Sequence, residues 1–145
     1  TMHICAAAIT AAITVPFVHI AAPTAQALLA DGIETVGLLG TRFTMEKRFY
    51  IDELERRGLK VRVPDIGITN LNGIIYEELI KNVVRDESRR TYVDAITRLQ
   101  ARGAEAVILG CTEIGLLIDD SVSPVPTYDT TDLHARALVA AAMAA

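Results

Sequence analysis

Residues 103–110, with the sequence "GAEAVILG", restrict the possible folds more than any other part of the chain. The apolar run between the two glycines is too short and too rich in β-branched residues for an isolated helix, so it predicts a buried strand. Residues 34–40, "ETVGLLG", show the same pattern. Strands that are apolar on both faces are typical of a parallel sheet covered on both sides.

The segments around these two runs alternate between strand and helix patterns. "LKVRVPD" and residues 124–128 predict two more strands, and "PFVHI" at residues 16–20 is a possible fifth. Helices are predicted over residues 3–13, 23–32, 45–58, 111–118 and 130–145, with two more within 71–102. This alternation predicts an α/β fold in which a parallel sheet lies between two layers of helices, with right-handed crossovers.

Composition narrows the class of protein. The 145 residues are 51% hydrophobic and 22% charged, and their net charge of −4 gives no electrostatic reason to expect a nucleic-acid or membrane partner. The sequence has no apolar run long enough to span a bilayer, so we expect a cytoplasmic protein. The two cysteines form neither a CxxC pair nor a cluster with histidines, so no metal site is expected.

Candidate site residues follow the predicted strands, because parallel sheets bind ligands beyond the carboxyl ends of their strands. Cys111 would lie between a buried strand and the N-terminus of a helix, where the helix dipole favours a thiolate. An inert buried cysteine is the alternative. Thr112 could help to bind a carboxylate there. Thr41 and Thr44 could donate hydrogen bonds to a small anion or could simply cap a helix.

The remaining polar candidates have weaker support. His134 could act as a general acid or base, and it could equally be a half-buried helix residue. Glu113, two residues after Cys111, is a possible accessory residue. Cys5, His3 and His19 are expected to have structural roles.

Four segments resemble the aspartate/glutamate racemase family, within the Asp/Glu/hydantoin racemase superfamily. They are "VGLLGTRFTM", "IIYEELIKN", "RGAEAVILGCTEIGLLI" and "VPTYDTTDLHARA". The resemblance implies a racemase that uses no cofactor and inverts aspartate or glutamate with two proton-carrying residues, one of them Cys111. It also implies that Thr1, Thr41, Thr44 and Thr112 bind the carboxylates of the substrate, with a weaker match for Lys81.

The resemblance also carries expectations about the rest of the enzyme. "TMH" at the start of the chain is similar to the end of a family motif, Asn-Thr-Met-His, that the first catalytic Cys or Thr precedes. We therefore expect that residue upstream of Thr1, and we expect the 145 residues alone to be inactive. The implied fold has two pseudo-symmetric lobes, with residues 1–23 belonging to an incomplete first lobe, residues 24–128 forming the second, and residues 129–145 returning to the first.

Further expectations concern partners and alternative functions. The ligand is expected to be a small amino acid or dicarboxylate, and a homodimer is expected because terminal segments without a first lobe would expose apolar faces. Two alternatives remain open at this point. They are an enzyme resembling arylmalonate decarboxylase, which uses a single cysteine, and a non-catalytic α/β module that binds a small dicarboxylate.

Overall fold

The two apolar runs bounded by glycines form the centre of a parallel sheet. A computed structural model describes residues 2–144 and places β1 (Thr35–Leu39) beside β3 (Ala106–Leu109). The edge strands are β2 (Lys60–Arg62) and β4 (Thr127–Asp129), and the strand order is β2-β1-β3-β4. All three strand pairs are parallel, so the carboxyl ends of the four strands lie at the same edge of the sheet.

Within residues 2–144, seven α-helices connect or flank the strands. They are α1 (Ala6–Ala12), α2 (Ala21–Ala30), α3 (Arg42–Glu46), α4 (Arg48–Arg56), α5 (Ile68–Glu77), α6 (Asp86–Ala101) and α7 (Thr130–Met143). Short 3₁₀ segments span Met2–Cys5, Leu79–Lys81 and Ile114–Leu116. Gly32 and Gly58 follow α2 and α4 with φ angles of 76° and 98°, as predicted for glycines that end helices.

The alternation of side chains along the strands divides the core into two layers. Val36, Leu38 and Ile108 belong to the cluster that includes residues of α2 and α4. Leu39 and Leu109 point to the opposite face and belong to the cluster that includes residues of α5 and α6. Helices therefore cover both faces of the sheet, which confirms the predicted three-layer α/β fold.

Three local predictions differ from the structure. Residues 16–20 form irregular backbone instead of a strand, and aromatic contacts join Phe17 to His3 and His19. The helix predicted over residues 45–58 is interrupted at Lys47, which has extended backbone angles between α3 and α4. Residues 111–118 contain a 3₁₀ segment of three residues instead of an α-helix. A segment of eight residues with Gly115 in its middle has little intrinsic tendency to form an α-helix.

The terminal helices make few buried contacts. No residue of α1 is buried, and in α7 the one buried residue is Thr130, at its first position. α7 packs on α2 and β4. The expected domain boundaries after residues 23 and 128 fall inside α2 and β4, and the division into lobes stays a prediction.

Candidate functional site

Two glycines bring the ends of the central strands very close together. The Gly110 N–H donates to the carbonyl oxygen of Leu39 at 2.8 Å. A Cβ atom on Gly110 would lie 2.6 Å from that oxygen, and one on Gly40 would lie 3.4 Å from the carbonyl oxygen of Gly110. The missing side chains therefore allow this close approach, and Cys111 follows directly at the carboxyl edge of the sheet.

The Cys111 thiol is half-buried and has a carboxylate as its hydrogen-bond partner. Its Sγ donates to Oε2 of Glu113 at 2.9 Å. Burial is the largest cause that raises the pKa of this thiol to about 12, and the Glu113 carboxylate raises it further, while a hydrogen bond from the Glu113 N–H acts in the opposite direction. The α-helix expected after Cys111 is replaced by a 3₁₀ segment, so the helix dipole that would favour a thiolate is missing, and burial and the carboxylate favour the thiol form.

Glu113 is held as a carboxylate. The hydrogen bond from Cys111, followed by one from the Thr112 hydroxyl, lowers its pKa. Glu113 is partly buried, and Thr112 is exposed beside it. Ile114 comes next, fully buried in the core, and its N–H donates to the carbonyl oxygen of Cys111 at 3.2 Å. The turn that joins the sheet to the 3₁₀ segment thus sets the position of the carboxylate near the sulfur.

Tyr92 is a buried polar neighbour of Cys111 that the sequence analysis counted only as part of an apolar stripe. Its side chain is fully buried in α6, and its hydroxyl donates to the carbonyl oxygen of Leu71 at 3.0 Å. Burial, and then the nearby Cys111, raise the pKa of this phenol. A tyrosine within an otherwise aliphatic stripe was the available signal, because a buried phenol needs a hydrogen-bond partner.

Thr41 and Thr44 lie at the end of β1 and contact each other. Their hydroxyl oxygens are 3.3 Å apart, and Oγ1 of Thr41 accepts from the Thr44 N–H at 3.4 Å as the cap of α3. Thr44 is buried, and its Cγ2 would lie 3.5 Å from a Cβ on Gly110. The structure therefore brings both threonines to the same edge as Cys111, and Thr41 also has the capping role considered from the sequence.

The residues that follow β4 also lie at this edge. The Thr130 hydroxyl, which is buried, donates to the carbonyl oxygen of Leu109 at 3.0 Å. The Asp129 carboxylate caps α7 by accepting from the Thr131 N–H at 2.8 Å. The residues that follow β1, β3 and β4 thus lie together at the ends of adjacent strands.

Two of the predicted substrate-binding residues have less structural support. Lys81 lies in the 3₁₀ segment after α5, exposed, and its Nζ pairs with Oε2 of Glu77 at 2.9 Å. Its predicted contact with a substrate carboxylate stays a prediction. Thr1 lies outside the described residues.

His134 belongs to a different cluster from Cys111. Its Nε2 donates to the carbonyl oxygen of Val18 at 2.9 Å, and its ring centroid is 5.5 Å from that of His3. The rings of His3 and His19 are 4.8 Å apart. These contacts join the N-terminal segment, residues 16–20 and α7. They give His134 a structural partner, and its proposed accessory role stays a prediction.

Other features of the described residues lie away from the predicted site. A groove of about 510 Å³ is lined by residues that include Val18, Ala22, Leu29 and Ala137, and none of the predicted site residues lines it. Among residues 2–144, no group of three or more His, Cys, Asp or Glu side chains is placed to hold a metal ion. In the same part of the chain, no helix is long and apolar enough to cross a membrane.

The fold and this site define a class: a three-layer α/β protein with a cysteine at the carboxyl edge of its parallel sheet. The family follows from the sequence as a whole. The Asp/Glu/hydantoin racemase model matches residues 1–138, and the chain belongs to that family.

Proteins of known structure and sequence agree with this membership. A Yersinia pestis protein assigned to the Asp/Glu racemases is 43% identical, with a TM-score of 0.93 over 98% of this chain and 63% of that one. An aspartate racemase homologue from Pyrococcus horikoshii OT3 is 36% identical, with a TM-score of 0.88 over 97% of this chain and 62% of that one. Glutamate racemase 3 of Caldanaerobacter subterraneus subsp. tengcongensis is 24% identical over 84 residues, which are 58% of this chain and 30% of that protein.

The chain therefore spans less than two thirds of the length of each of these relatives. The activity, substrates and partners of the whole protein are accordingly matters for proposal.

Proposed function

We propose that this chain forms the Cys111 half of a cofactor-independent amino-acid racemase acting on aspartate or glutamate. One observation carries the proposal: a partly exposed thiol follows the central strand of the sheet, at the edge where all strands end, in a member of the Asp/Glu/hydantoin racemase family. The named relatives support both amino acids as candidate substrates, since one is a glutamate racemase and another an aspartate racemase homologue.

The proposed chemistry needs two proton carriers. Inversion of the α-carbon requires one group to remove the α-proton from one face and another group to deliver a proton to the opposite face. Cys111 is the carrier on one face. The second carrier is the Cys or Thr that precedes the Asn-Thr-Met-His motif in family members. Residues 1–3 are similar to the end of that motif. Because proton transfer is performed by side chains of this kind, the scheme uses no pyridoxal phosphate.

The substrate carboxylates are proposed to bind at the same edge. Thr112 offers an exposed hydroxyl beside Cys111, and Thr41 offers a hydroxyl at the end of β1, where Thr44 supports it. Lys81 is the candidate for the distal carboxylate. Its present partner, Glu77, is exposed, so solvent and salt screen that pair and the ammonium can exchange one carboxylate for another.

We also propose that the apolar faces of the terminal segments are covered in the assembled protein. Val139 and Met143 of α7 are 59% and 84% exposed, and Met2 is 72% exposed. We propose that a first lobe, to which residues 1–23 and 129–145 belong, covers part of these faces. A second copy of the chain in a homodimer covers the rest. Light scattering during size-exclusion chromatography measures the subunit number, and a monomer at all concentrations contradicts the dimer.

The activity is tested by the formation of the opposite enantiomer. The protein expressed from its natural gene is incubated with L-aspartate or L-glutamate, and chiral chromatography follows the D-enantiomer. Cys111→Ser is expected to lower the rate by about 10²–10⁴-fold, the usual contribution of a positioned acid or base. Cys5→Ser is the matched control, because Cys5 is an exposed cysteine in the Met2–Cys5 segment and has no predicted role in the site. Equal rates for the wild type and Cys111→Ser contradict the proposal.

A further inference from the structure

Glu113 occupies a position from which it can control the proton on Cys111. Its Oε2 accepts the thiol hydrogen bond at 2.9 Å. The turn that carries it is fixed at its far end by Ile114, which is fully buried. A negative charge at this distance disfavours a second negative charge on the sulfur.

We propose that Glu113 is a positioning residue that favours the protonated form of Cys111 in the resting enzyme, the form in which Cys111 is the proton donor for one of the two enantiomers. This inference rests on the proposed racemase function. It gives the two carriers different resting forms, a neutral thiol on the side of Cys111 and a proton acceptor on the opposite side.

The proton balance of the cycle follows from this assignment. The second carrier removes the α-proton, and the electron pair of the broken C–H bond stays on the substrate. The S–H bond of Cys111 then breaks, its proton forms the new C–H bond on the other face, and its electron pair stays on sulfur. Glu113 neither gains nor loses a proton. To reset the enzyme, the second carrier releases the α-proton to solvent and Cys111 takes a proton from solvent. The charge of Glu113 favours this return because it destabilises the thiolate.

The direction in which each pKa changes, for Cys111 and for Glu113, agrees with the geometry. Burial and the carboxylate raise the pKa of Cys111, and the thiol hydrogen bond lowers the pKa of Glu113. Since burial is the larger cause for Cys111, removing the charge of Glu113 reverses only part of the shift. We therefore expect a change on the order of one pKa unit, which corresponds to about a tenfold change in the thiolate fraction.

The test measures the rate at which iodoacetamide alkylates each cysteine as a function of pH, with peptides resolved by mass spectrometry. Alkylation consumes the thiolate, so Glu113→Gln is expected to speed the reaction of Cys111 about tenfold at neutral pH. The exposed Cys5 is the internal reference and its rate should stay constant. Glu87→Gln removes an exposed carboxylate on α6 and is the matched control, expected to leave Cys111 unchanged.

Turnover gives a second readout that a purely structural role would not move. In Glu113→Gln, the alkaline pH at which racemisation falls is expected to shift down by about one unit, because Cys111 loses its proton more easily. Glu113→Asp keeps the negative charge but moves it away from the sulfur. Its alkylation rate and its pH profile of racemisation are therefore expected to lie between those of the wild type and Glu113→Gln. If circular dichroism shows that Glu113→Gln is unfolded, the comparison of Glu113→Asp with the wild type is the test.

The inference is overturned if the alkylation profile of Cys111 is the same in the wild type and the Glu113 variants. It is also overturned if racemisation slows uniformly with no movement of the pH profile. Alkylation needs no substrate, so the two proposals fail separately. A shifted profile without any racemisation contradicts the proposed function, whereas Cys111-dependent racemisation with an unshifted profile contradicts the role of Glu113.

Discussion

Substitution of Gly110 by alanine tests the close approach of the two central strands at the site. A Cβ atom there would lie 2.6 Å from the Leu39 carbonyl oxygen, whereas ordinary contact begins at 3.4 Å. That oxygen belongs to the backbone of β1, so no side-chain rotation relieves the overlap. The strands must separate by several tenths of an ångström, and the 2.8 Å hydrogen bond between the Gly110 N–H and this oxygen must lengthen.

The expected cost combines two effects. Insertion of a methyl group into a packed core costs about 1–3 kcal/mol, and weakening a buried hydrogen bond costs about 0.5–1.5 kcal/mol. Gly110→Ala should therefore lower the free energy of unfolding by about 1.5–4.5 kcal/mol. For a chain of this size, that is a fall in Tm of roughly 5–15 °C.

Gly73→Ala is the matched control for this substitution. Gly73 lies inside α5, and a Cβ atom there would meet nothing within 4 Å. Alanine is the better helix former, so the variant should gain about 0.5–1 kcal/mol. Thermal unfolding by circular dichroism compares the two variants. If Gly110→Ala is as stable as the wild type, or matches Gly73→Ala, the proposed contact between the strand ends is wrong.

Three further predictions concern other parts of the chain. Tyr92→Phe removes the hydroxyl that donates to the buried carbonyl oxygen of Leu71 at 3.0 Å. The free energy of unfolding measured in urea should therefore fall by about 1–2 kcal/mol, and an unchanged value would refute this hydrogen bond. Burial, and then the two neighbouring histidines, lower the pKa of His3 to about 4. The unfolded chain therefore binds more protons, and stability should fall as the pH falls from 6.5 towards 4, less steeply in His3→Asn. Lys81→Gln should raise KM for aspartate and glutamate, whereas the exposed Lys47→Gln should not; equal effects would exclude Lys81 from binding.

The sheet was largely predictable because its strands carry local signals. β1 and β3 are apolar runs between glycines, and all four observed strands fall on or overlap predicted ones. The prediction failed for residues 16–20. Their β-branched and aromatic composition suits a strand, but Phe17 packs on histidine rings and the Val18 carbonyl accepts from His134, contacts between residues distant in sequence.

The position of the candidate cysteine was also predictable, whereas its protonation was not. A cysteine directly after a buried strand must lie at the carboxyl edge of a parallel sheet. The sign of its pKa shift depends on where the Glu113 side chain points and on how far the sulfur is buried, both of which follow from tertiary packing. The sequence pattern favoured an α-helix after Cys111, and the 3₁₀ segment that forms there places a carboxylate at the sulfur instead.

The position of solvent deuterium in the two enantiomers tests the central claim, that Cys111 is one of two carriers on opposite faces of the substrate. The protein expressed from its natural gene is incubated in heavy water with L-aspartate or L-glutamate, and the α-carbon of each enantiomer is analysed at early times. Because the thiol hydrogen exchanges with solvent, the account predicts deuterium in the newly formed D-enantiomer before it enters the remaining L-enantiomer, and loss of this incorporation in Cys111→Ser. Equal labelling of both enantiomers from the start, or incorporation that persists in Cys111→Ser, would contradict it.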